Sequence, residues 1–569
     1  MPSDDRQLSP LEIEDLVDRK QPSWIVKFTV DIPSSHQPQA TNTTPRWKTP
    51  EFFFYYVVFI LVTPVMVWTP VTLSSPEHRN YQYYKRKLSP GWLFGRQVDN
   101  SDAQYRSFRN NIPALILLSS AFFLFKFLHG LRRSPNTQPD RIYLIPFICG
   151  FSILMLFGLH GASALKVLII IFINYLISRY TGGNTVSPFF LWAFNSLVLF
   201  ANETYSGYRF VSLHPSLEFL DNIQGAYPQW HVSFNMTMLR LVSFGMDYHW
   251  AITQASQEEV NQGIMPHKQR TNSTHPLGMY SFKNYFAYIF YPPLYIAGPI
   301  VTFNDFVWQM RSRNTLTWKS IAAYAVRFLV CLLTMEFVLH YMYMVAIKDT
   351  KAWDGFSAAE LSMVGFWNLI IVWLKLLLPW RFFRLWALAD GVDPPENMVR
   401  CMANNYSTFG FWKSWHRSYN LWIVSDRYIY IPLGGTRNVL VSSVLIFTFV
   451  ALWHDLSFKL LAWGWLVSLF LVPELVARAV LPQSKFGAQR WYRHVCAVGG
   501  VFNILTMLTA NLVGFVIGTD GISYMVGQLT DSWEGIRFVL FTCFCLFVGV
   551  QVMFEYREEE LRAGIVRKC

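Results

Sequence analysis

The chain has 569 residues, of which 52% are hydrophobic and only 15% charged, with a formal net charge of +12. Ordinary soluble domains carry roughly 25% charged residues, so this composition excludes a water-soluble globular protein. The positive charge is typical of Lys and Arg collected in loops beside anionic lipid, and no basic helix stands clear of the apolar runs, which argues against nucleic-acid binding.

The N-terminal region predicts a polar arm followed by closely spaced membrane helices. Residues 1–50 are mostly polar and lack the apolar core of a secretory signal peptide. The first predicted span covers 52–68, and the basic aromatic segment YQYYKRKLSPGWLFGR after it is expected at the membrane interface. Further spans are predicted at about 112–129, 142–180 (long enough for two, broken near 158–161) and 188–202.

The second half of the chain predicts the remaining spans. Residues 205–280 are only moderately hydrophobic, and we expect interfacial or re-entrant helices and a loop there. About eleven crossings are predicted in total, within an all-α polytopic fold that forms one membrane-embedded domain, 51–569, with its core at 280–520. The later spans are predicted at 284–302, 319–346, 361–380, 439–455, 458–477, 492–518 and 535–554.

Ionisable residues inside apolar segments are functional candidates, because charge is costly at membrane depth. Glu336 and His340 are four residues apart, so they share a helix face and can form a pair, for which we expect a packing role. The seven cysteines are scattered, and no His, Cys and Asp cluster has the spacing of a zinc site. No metal and no cofactor are therefore expected.

Two histidines stand apart from the others. His454 lies in VLIFTFVALWHDLSFKLLAWGWL, an almost continuous apolar segment, and His416 lies in the amphipathic FWKSWHRSYNLW. Burial disfavours the charged imidazolium, so both rings are expected to be neutral. A neutral imidazole in a water-poor cavity can accept the proton of a hydroxyl that attacks an acyl carbon.

The segment FWKSWHRSYNLWIVSDRYIYIPLGG, residues 411–435, resembles the signature of the membrane-bound O-acyltransferase (MBOAT) family. The family places its characteristic histidine on a following helix, as in ALWHD here, and YSFKNYFAYIFYPPLYIAGPIVTFNDF is similar to its Pro-rich segment. The resemblance covers roughly 280–520, and LVSFGMDYHW, together with the signature, most resembles the fungal glycerol-uptake branch. The fold that it implies has membrane helices and re-entrant or interfacial helices around a central tunnel.

The resemblance also implies roles for individual residues. His454 takes the place of the family's catalytic general base, and His416 takes the second motif position, where it would bind substrate or orient the reacting carbonyl. Acyl-CoA would be the cosubstrate. The expected substrate-binding residues are Trp412, Trp415, Arg417, Asn420, Trp422 and Asp455.

Several activities remain open at this stage. The branch implies transfer of a long or very-long-chain acyl group to a lyso-glycosylphosphatidylinositol (lyso-GPI) lipid in the endoplasmic reticulum membrane, with the plasma membrane as a second candidate location. Alternative acceptors are a protein N-terminus, a sterol or a lysophospholipid. A glycerol/proton symporter is the alternative from another class, although transporters commonly show internal repeats, which we do not find in this sequence.

Overall fold

The computed structural model of the chain describes residues 44–131, 140–253, 265–312, 316–424, 428, 439–454 and 458–565. Within these ranges nearly all regular structure is α-helical, and the predicted all-α polytopic fold is confirmed. Residues 1–43 of the predicted polar arm lie outside the described part. The predicted central tunnel stays a prediction.

The first membrane helix, α1 (Pro50–Leu73), begins at residues that favour a helix N-terminus. Pro50 occupies the first helical turn, where its missing N–H costs nothing, and the Thr49 hydroxyl accepts a hydrogen bond from the Phe52 N–H. Ile60 and Leu61 are about two-thirds exposed, as expected of side chains that face lipid. The helices that follow up to residue 253 are α2 (Tyr81–Tyr84), α3 (Ala103–Gly130), α4 (Ile145–His160), α5 (Ala164–Thr181), α6 (Ser187–Thr204), α7 (Glu218–Asp221) and α8 (Trp230–Thr253).

The predicted break near 158–161 is present between α4 and α5. Gly161 has φ +58°, and a Cβ atom there would lie 2.1 Å from the Ile223 carbonyl oxygen, so only glycine lets the loop before α8 pack into the break. A two-stranded antiparallel hairpin, β1 (Leu88–Pro90) and β2 (Gln97–Asp99), follows α2. Short 3₁₀ turns are Lys85–Lys87, Ile142–Leu144, Gly161–Ser163, Phe210–Ser212, Pro215–Leu217 and Leu277–Met279.

The second half contains the longest helix, α15, which begins with a capping box. The Ser357 hydroxyl accepts from the Glu360 N–H, and the Glu360 carboxylate accepts from the Ser357 N–H. The helices after residue 265 are α9 (His267–Asn272), α10 (Phe282–Ile289), α11 (Pro292–Tyr295), α12 (Phe303–Arg311), α13 (Trp318–Tyr341), α14 (Met344–Asp349), α15 (Ala358–Asp390), α16 (Thr408–Ser414), α17 (Arg417–Val424), α18 (Val439–His454), α19 (Phe458–Val480), α20 (Gln483–Phe486), α21 (Tyr492–Asn511), the π turn Leu512–Val516, α22 (Gly518–Thr530) and α23 (Trp533–Arg562).

The crossing predicted at 284–302 is wrong. The chain there forms two short helices, α10 and α11, interrupted by Pro292 and Pro293, and most of the segment is buried inside the protein. The Arg240 guanidinium on α8 donates hydrogen bonds to the carbonyl oxygens of Ile289 and Leu294. The Ile289 carbonyl has no i+4 N–H donor, because residue 293 is a proline. This apolar sequence packs against protein and not against lipid.

The region 205–280, predicted to contain interfacial or re-entrant helices and a loop, includes a long buried helix. Helix α8 occupies 24 residues of this region, and most of it is buried against α5, α6 and α12. The loop before α8, with exposed Leu213 and Phe219, does have the character of an interfacial segment. The moderate hydrophobicity of α8 reflects polar side chains that are satisfied inside the protein.

Eight helical stretches in the described residues are long and apolar enough to cross a membrane, against about eleven predicted crossings. One of the eight contains both α4 and α5, and a shorter apolar stretch, Val441–His454, lies in α18. The eight are Pro50–Leu73, Ala103–Gly130, Ile142–Thr181, Trp318–Tyr341, Ala358–Asp390, Leu460–Val480, Tyr492–Val516 and Trp533–Arg562.

The start of α1 is bonded to the end of α23. The Arg46 backbone N–H donates to a Glu555 carboxylate oxygen at 2.9 Å, and the Trp47 indole N–H donates to Glu559 at 3.4 Å. Glu555 is fully buried and also pairs with Arg562 and Arg493 at 2.7 and 3.4 Å. This ionic cluster joins the first and last described helices.

Candidate active site

His416 lies at a sharp corner between α16 and α17. Its φ is +46°, a left-handed conformation that non-glycine residues rarely adopt. Such a conformation costs about 1–3 kcal/mol and persists only when surrounding contacts impose it. Strain of this kind is concentrated at functional sites.

The contacts that impose this corner come from residues 397–399. The Arg417 N–H donates to the Asn397 carbonyl oxygen at 2.9 Å, and the Ser418 N–H donates to the Asn397 Oδ1 at 3.0 Å. The Val399 N–H donates to the Ser414 carbonyl oxygen at 3.2 Å. Asn397 therefore caps the start of α17, one residue after His416.

The His416 ring is surrounded by aromatic side chains. Its centroid lies 4.4 Å from that of Trp380 on α15, 5.2 Å from Tyr419 and 6.4 Å from Trp453. Burial lowers the pKa of His416 to about 3, and a positive charge on nearby His454 would lower this pKa further. The buried Nδ1 has no hydrogen-bond partner within the described part of the chain. The ring is thus neutral, and its Nδ1 can make a hydrogen bond to a substrate.

His454 ends α18, and its position is fixed through the neighbouring Trp453. The Trp453 indole N–H donates to the Asn235 carbonyl oxygen at 2.9 Å, and the Asn235 amide donates back to the Trp453 carbonyl oxygen at 3.2 Å. Trp453 itself is buried, whereas the His454 side chain is exposed. The two rings have centroids 4.7 Å apart.

Trp453 is thus the contact shared by both predicted catalytic histidines. His416 approaches it from the α16–α17 corner, and His454 follows it at the end of α18. One imidazole is half-buried with a nitrogen that has no hydrogen-bond partner among the described residues, and the other is exposed. The arrangement offers one ring to accept a proton and another to hold a polar substrate atom beside it.

Two of the predicted substrate-binding tryptophans pack against other side chains. The Trp412 ring lies 5.5 Å from both Trp463 and Phe447, in a small apolar cluster between α16, α18 and α19. Trp415 directly precedes His416, and its ring stacks on the Phe411 ring with centroids 5.3 Å apart. Both are partly exposed, so contact with an acyl chain remains a prediction for them.

Asn420 and Trp422 have structural contacts instead of open surfaces. The Asn420 amide donates to the carbonyl oxygens of Trp412 and Trp415, which fastens the corner from its other side. Trp422 is 2% exposed and stacks on Tyr428 at 4.9 Å. Asn420 therefore supports the corner, Trp422 packs inside the protein, and a substrate contact stays a prediction for both.

The remaining predicted residues, Arg417 and Asp455, carry charge, and so does Lys413 next to Trp412. Arg417 opens α17 and is half-buried, and its charge lowers the pKa of His267, after the larger effects of burial and the neighbouring Asp305 and Arg270. The Lys413 ammonium is exposed and lies 6.0 Å over the Phe409 ring. Asp455 and the IPLGG segment, 431–435, lie outside the described residues.

Sequence reasoning missed Asn397, Asn235 and Trp380. Each makes its contact to the site across a long sequence separation, so no local pattern around it pointed to the site. The one usable signal was the pair of prolines in DPPEN, 393–397, which indicates a rigid segment close to the motif.

A family model described as "MBOAT, membrane-bound O-acyltransferase family" matches residues 217–519, which include both histidines. The chain is 45% identical to Membrane-bound O-acyltransferase GUP1 of Saccharomyces cerevisiae, over 94% of this chain and 96% of that protein. It is 40% identical to Membrane-bound O-acyltransferase gup1 of Schizosaccharomyces pombe, with 94% of each chain covered.

A more distant similarity covers part of the chain. It is 29% identical to Protein-cysteine N-palmitoyltransferase HHAT of Mus musculus over 203 residues, which are 34% of this chain and 40% of the mouse protein. The names of these relatives describe acyl transfer to two different kinds of acceptor group.

Proposed function

The chain belongs to the membrane-bound O-acyltransferase family, and on that premise we propose that it transfers a long or very-long-chain acyl group from acyl-CoA to a hydroxyl of a lyso-GPI lipid. The resemblance read from the two motif segments is confirmed, and the chain is an acyltransferase. The donor, the acceptor, the endoplasmic reticulum location and the roles of the histidines are the proposal.

The reaction that suits the site is direct transfer. The acceptor hydroxyl oxygen attacks the thioester carbonyl carbon while the His454 imidazole takes the hydroxyl proton. The carbon–sulfur bond then breaks, and the CoA thiolate leaves and receives that proton. An ester and free CoA are the products, and no protein nucleophile is required.

His416 would take part in the same reaction without changing its protonation state. Its ring is neutral, and its Nδ1, which has no partner among the described residues, can hydrogen-bond to the acceptor or to the reacting carbonyl oxygen. A donor aimed at the carbonyl oxygen stabilises the charge that develops there. Aromatic rings surround the His416 imidazole at this point.

The single observation that carries the proposal is the meeting of the two histidines at Trp453. An accessible imidazole and a neutral, partly unpaired one beside the same buried indole are the parts that acyl transfer needs. Among the relatives, the yeast proteins that match nearly the whole chain are named O-acyltransferases, which favours a hydroxyl acceptor.

The test is a competition between acceptors with the purified full-length protein. Labelled very-long-chain acyl-CoA is supplied with lyso-GPI, lysophosphatidylinositol, ergosterol or a peptide with an N-terminal cysteine, each in the same vesicles. We expect labelled ester on lyso-GPI at a rate at least about tenfold above that on any other acceptor. If ester forms faster on ergosterol or lysophosphatidylinositol than on lyso-GPI, the proposed acceptor is wrong and the faster substrate takes its place.

A second acceptor is favoured by the partial similarity to the mouse palmitoyltransferase. In that case the labelled product is an amide on the peptide, which survives mild alkaline hydroxylamine, whereas an ester on lipid does not. Uptake of labelled glycerol by vesicles that contain the protein, with no acyl transfer to any acceptor, would overturn both assignments.

A further inference from the structure

The segment 393–397, which we call the strut, joins α15 to the site and is held by a dense set of polar contacts. Arg384 on α15 donates to the Asp393 carboxylate and to the Pro394 carbonyl oxygen, each at 2.8 Å. Gln309 on α12 accepts from the Asp393 N–H at 2.7 Å and donates to the Asp393 carbonyl oxygen at 3.3 Å. One end of the strut is therefore fixed to two helices.

The other end of the strut is fixed by Glu396. Its carboxylate is 4% exposed and accepts a hydrogen bond from the Tyr324 hydroxyl at 2.7 Å. Arg381 and Arg384 each approach it to 3.6 Å. A buried carboxylate with this many partners holds a single geometry, because any displacement would leave charge unpaired.

Asn397 is the residue that this rigid segment presents to the His416 corner. It is 1% exposed, and it accepts the first two N–H groups of α17 through its carbonyl oxygen and its Oδ1. The opposite side of the same corner is held by Asn420. The left-handed backbone of His416 lies directly between these two supports.

We propose that Asn397 is a positioning residue for the acyl-transfer reaction, which sets the direction of the His416 ring by capping α17 from the rigid strut. The inference rests on the proposed role of His416. Without the cap the corner can relax to an ordinary backbone conformation, and the ring then turns away from the reacting group. Asn397 touches His416 only through the backbone of the next two residues.

The first test compares two substitutions at this position. Asn397→Ala removes the Oδ1 acceptor, and we expect kcat to fall about 10²-fold, the loss typical of a misplaced catalytic group, with KM for acyl-CoA unchanged. Asn397→Asp keeps an acceptor of the same shape at the helix start, and Asn and Asp are about equally good caps. We expect its kcat to stay within about threefold of the wild-type value.

The matched control is Asn368→Ala. Asn368 is 3% exposed on α15, and its amide donates to the carbonyl oxygens of Met344 and Val364 at 3.0 and 2.8 Å. It is a buried, bonded asparagine away from the corner, so its loss lowers stability and leaves kcat of the folded protein unchanged. If Asn397→Ala does not fold, Asn397→Ser serves as the milder truncation, with an intermediate loss of kcat expected.

The second test is a double-mutant cycle with His416. If Asn397 acts through the His416 ring, Asn397→Ala lowers kcat in the wild-type background and has no effect in a His416→Ala background. Equal losses in both backgrounds would show a general structural role and overturn the inference. Wild-type kcat in Asn397→Ala or Asn397→Ser would overturn it too.

The two proposals fail in different ways. Full activity of His416→Ala would remove the role proposed for His416 and this inference with it. Loss of activity in His416→Ala together with full activity in Asn397→Ala would leave the proposed function in place and remove the positioning role alone.

Discussion

Two histidines, His340 near the end of α13 and His416 at the corner between α16 and α17, have opposite surroundings. His340 lies next to Glu336, whose carboxylate accepts hydrogen bonds from Trp92 at 2.8 Å, Tyr105 at 3.0 Å and Arg109 at 2.7 Å. Around His416 the described groups are mostly aromatic rings, and the backbone is strained.

The difference that matters most is access. The His340 side chain is fully buried, and its Nδ1 bonds to the Glu336 carbonyl oxygen at 2.6 Å. Gly91 of the hairpin loop covers the ring so closely that a Cβ there would lie 2.6 Å from Cδ2. His416 is half-buried, and the neighbouring His454 is exposed. A closed cluster of polar groups stabilises the fold, whereas an accessible imidazole beside a neutral one can take part in chemistry.

The largest expected effect is at His454. Replacement by Ala removes the proposed base, and we expect kcat to fall roughly 10²–10⁴-fold, the range that general base catalysis contributes. The measurement is transfer of labelled acyl groups by the purified protein, at equal amounts of folded protein. The control is His340→Ala, which should lower the melting temperature more than the turnover of the folded fraction. Wild-type turnover in His454→Ala would place the base elsewhere.

His416→Asn should produce the next largest loss, about 10²-fold in kcat, because Asn cannot place its amide where the ring nitrogen lies. The pKa of His416 is lowered from 6.5 to about 3, so the ring stays neutral near pH 7. The midpoint of the acid limb of the pH–rate profile should therefore be the same in both proteins. A shift of that midpoint in His416→Asn would show that His416 itself titrates during turnover.

The same pKa shift has a consequence for stability. The unfolded chain binds a proton at His416 below about pH 6.5, whereas the folded protein does so only near pH 3. The unfolded state is therefore favoured by proton binding between these two values, and the free energy of unfolding falls as the pH is lowered through this range.

Glu336→Gln should affect stability and spare turnover. It leaves the mostly buried Arg109 without its carboxylate partner, which costs about 3 kcal/mol for a buried pair. We expect a lower melting temperature in detergent and unchanged kcat of the protein that remains folded. Glu77→Gln, at an exposed glutamate, is the control. A loss of kcat at unchanged stability would mean that the two histidine regions are functionally connected.

The smallest effect is expected at Lys413. An exposed ammonium contributes about 0–1 kcal/mol, so Lys413→Ala should raise KM for acyl-CoA by less than about fivefold. Lys485→Ala is a close control, because Lys485 is also exposed and also lies over a phenylalanine ring, at 5.3 Å. A larger rise that disappears at high salt, seen for Lys413 alone, would assign this lysine to a phosphate of the donor.

The membrane helices were predictable wherever apolar side chains face lipid. The break between α4 and α5 was also readable, because two glycines flank a histidine there. The failure at 284–302 has a physical cause. Side chains buried by protein are as apolar as those buried by lipid, and hydropathy alone does not distinguish the two. The same ambiguity hid α8, whose polar residues are bonded inside the protein.

The sequence pointed to the two candidate histidines but not to the residues that hold them in place. The two histidines were chosen from local sequence and a family resemblance, and the structure brings both to Trp453. Asn420 and Trp422 were predicted at the substrate, and no local pattern indicated the contacts that they make inside the protein. The strained backbone of His416 depends on Asn397, a contact that no local pattern indicates.

The bond between Arg46 and Glu555 limits how the chain can thread the bilayer. Arg46 precedes α1 and Glu555 lies near the end of α23, and because the two are in contact we expect both on the same side of the membrane. The expected number of crossings between them is therefore even. Reporter groups fused near the two ends should consequently sense the same side of the bilayer, whichever side that is.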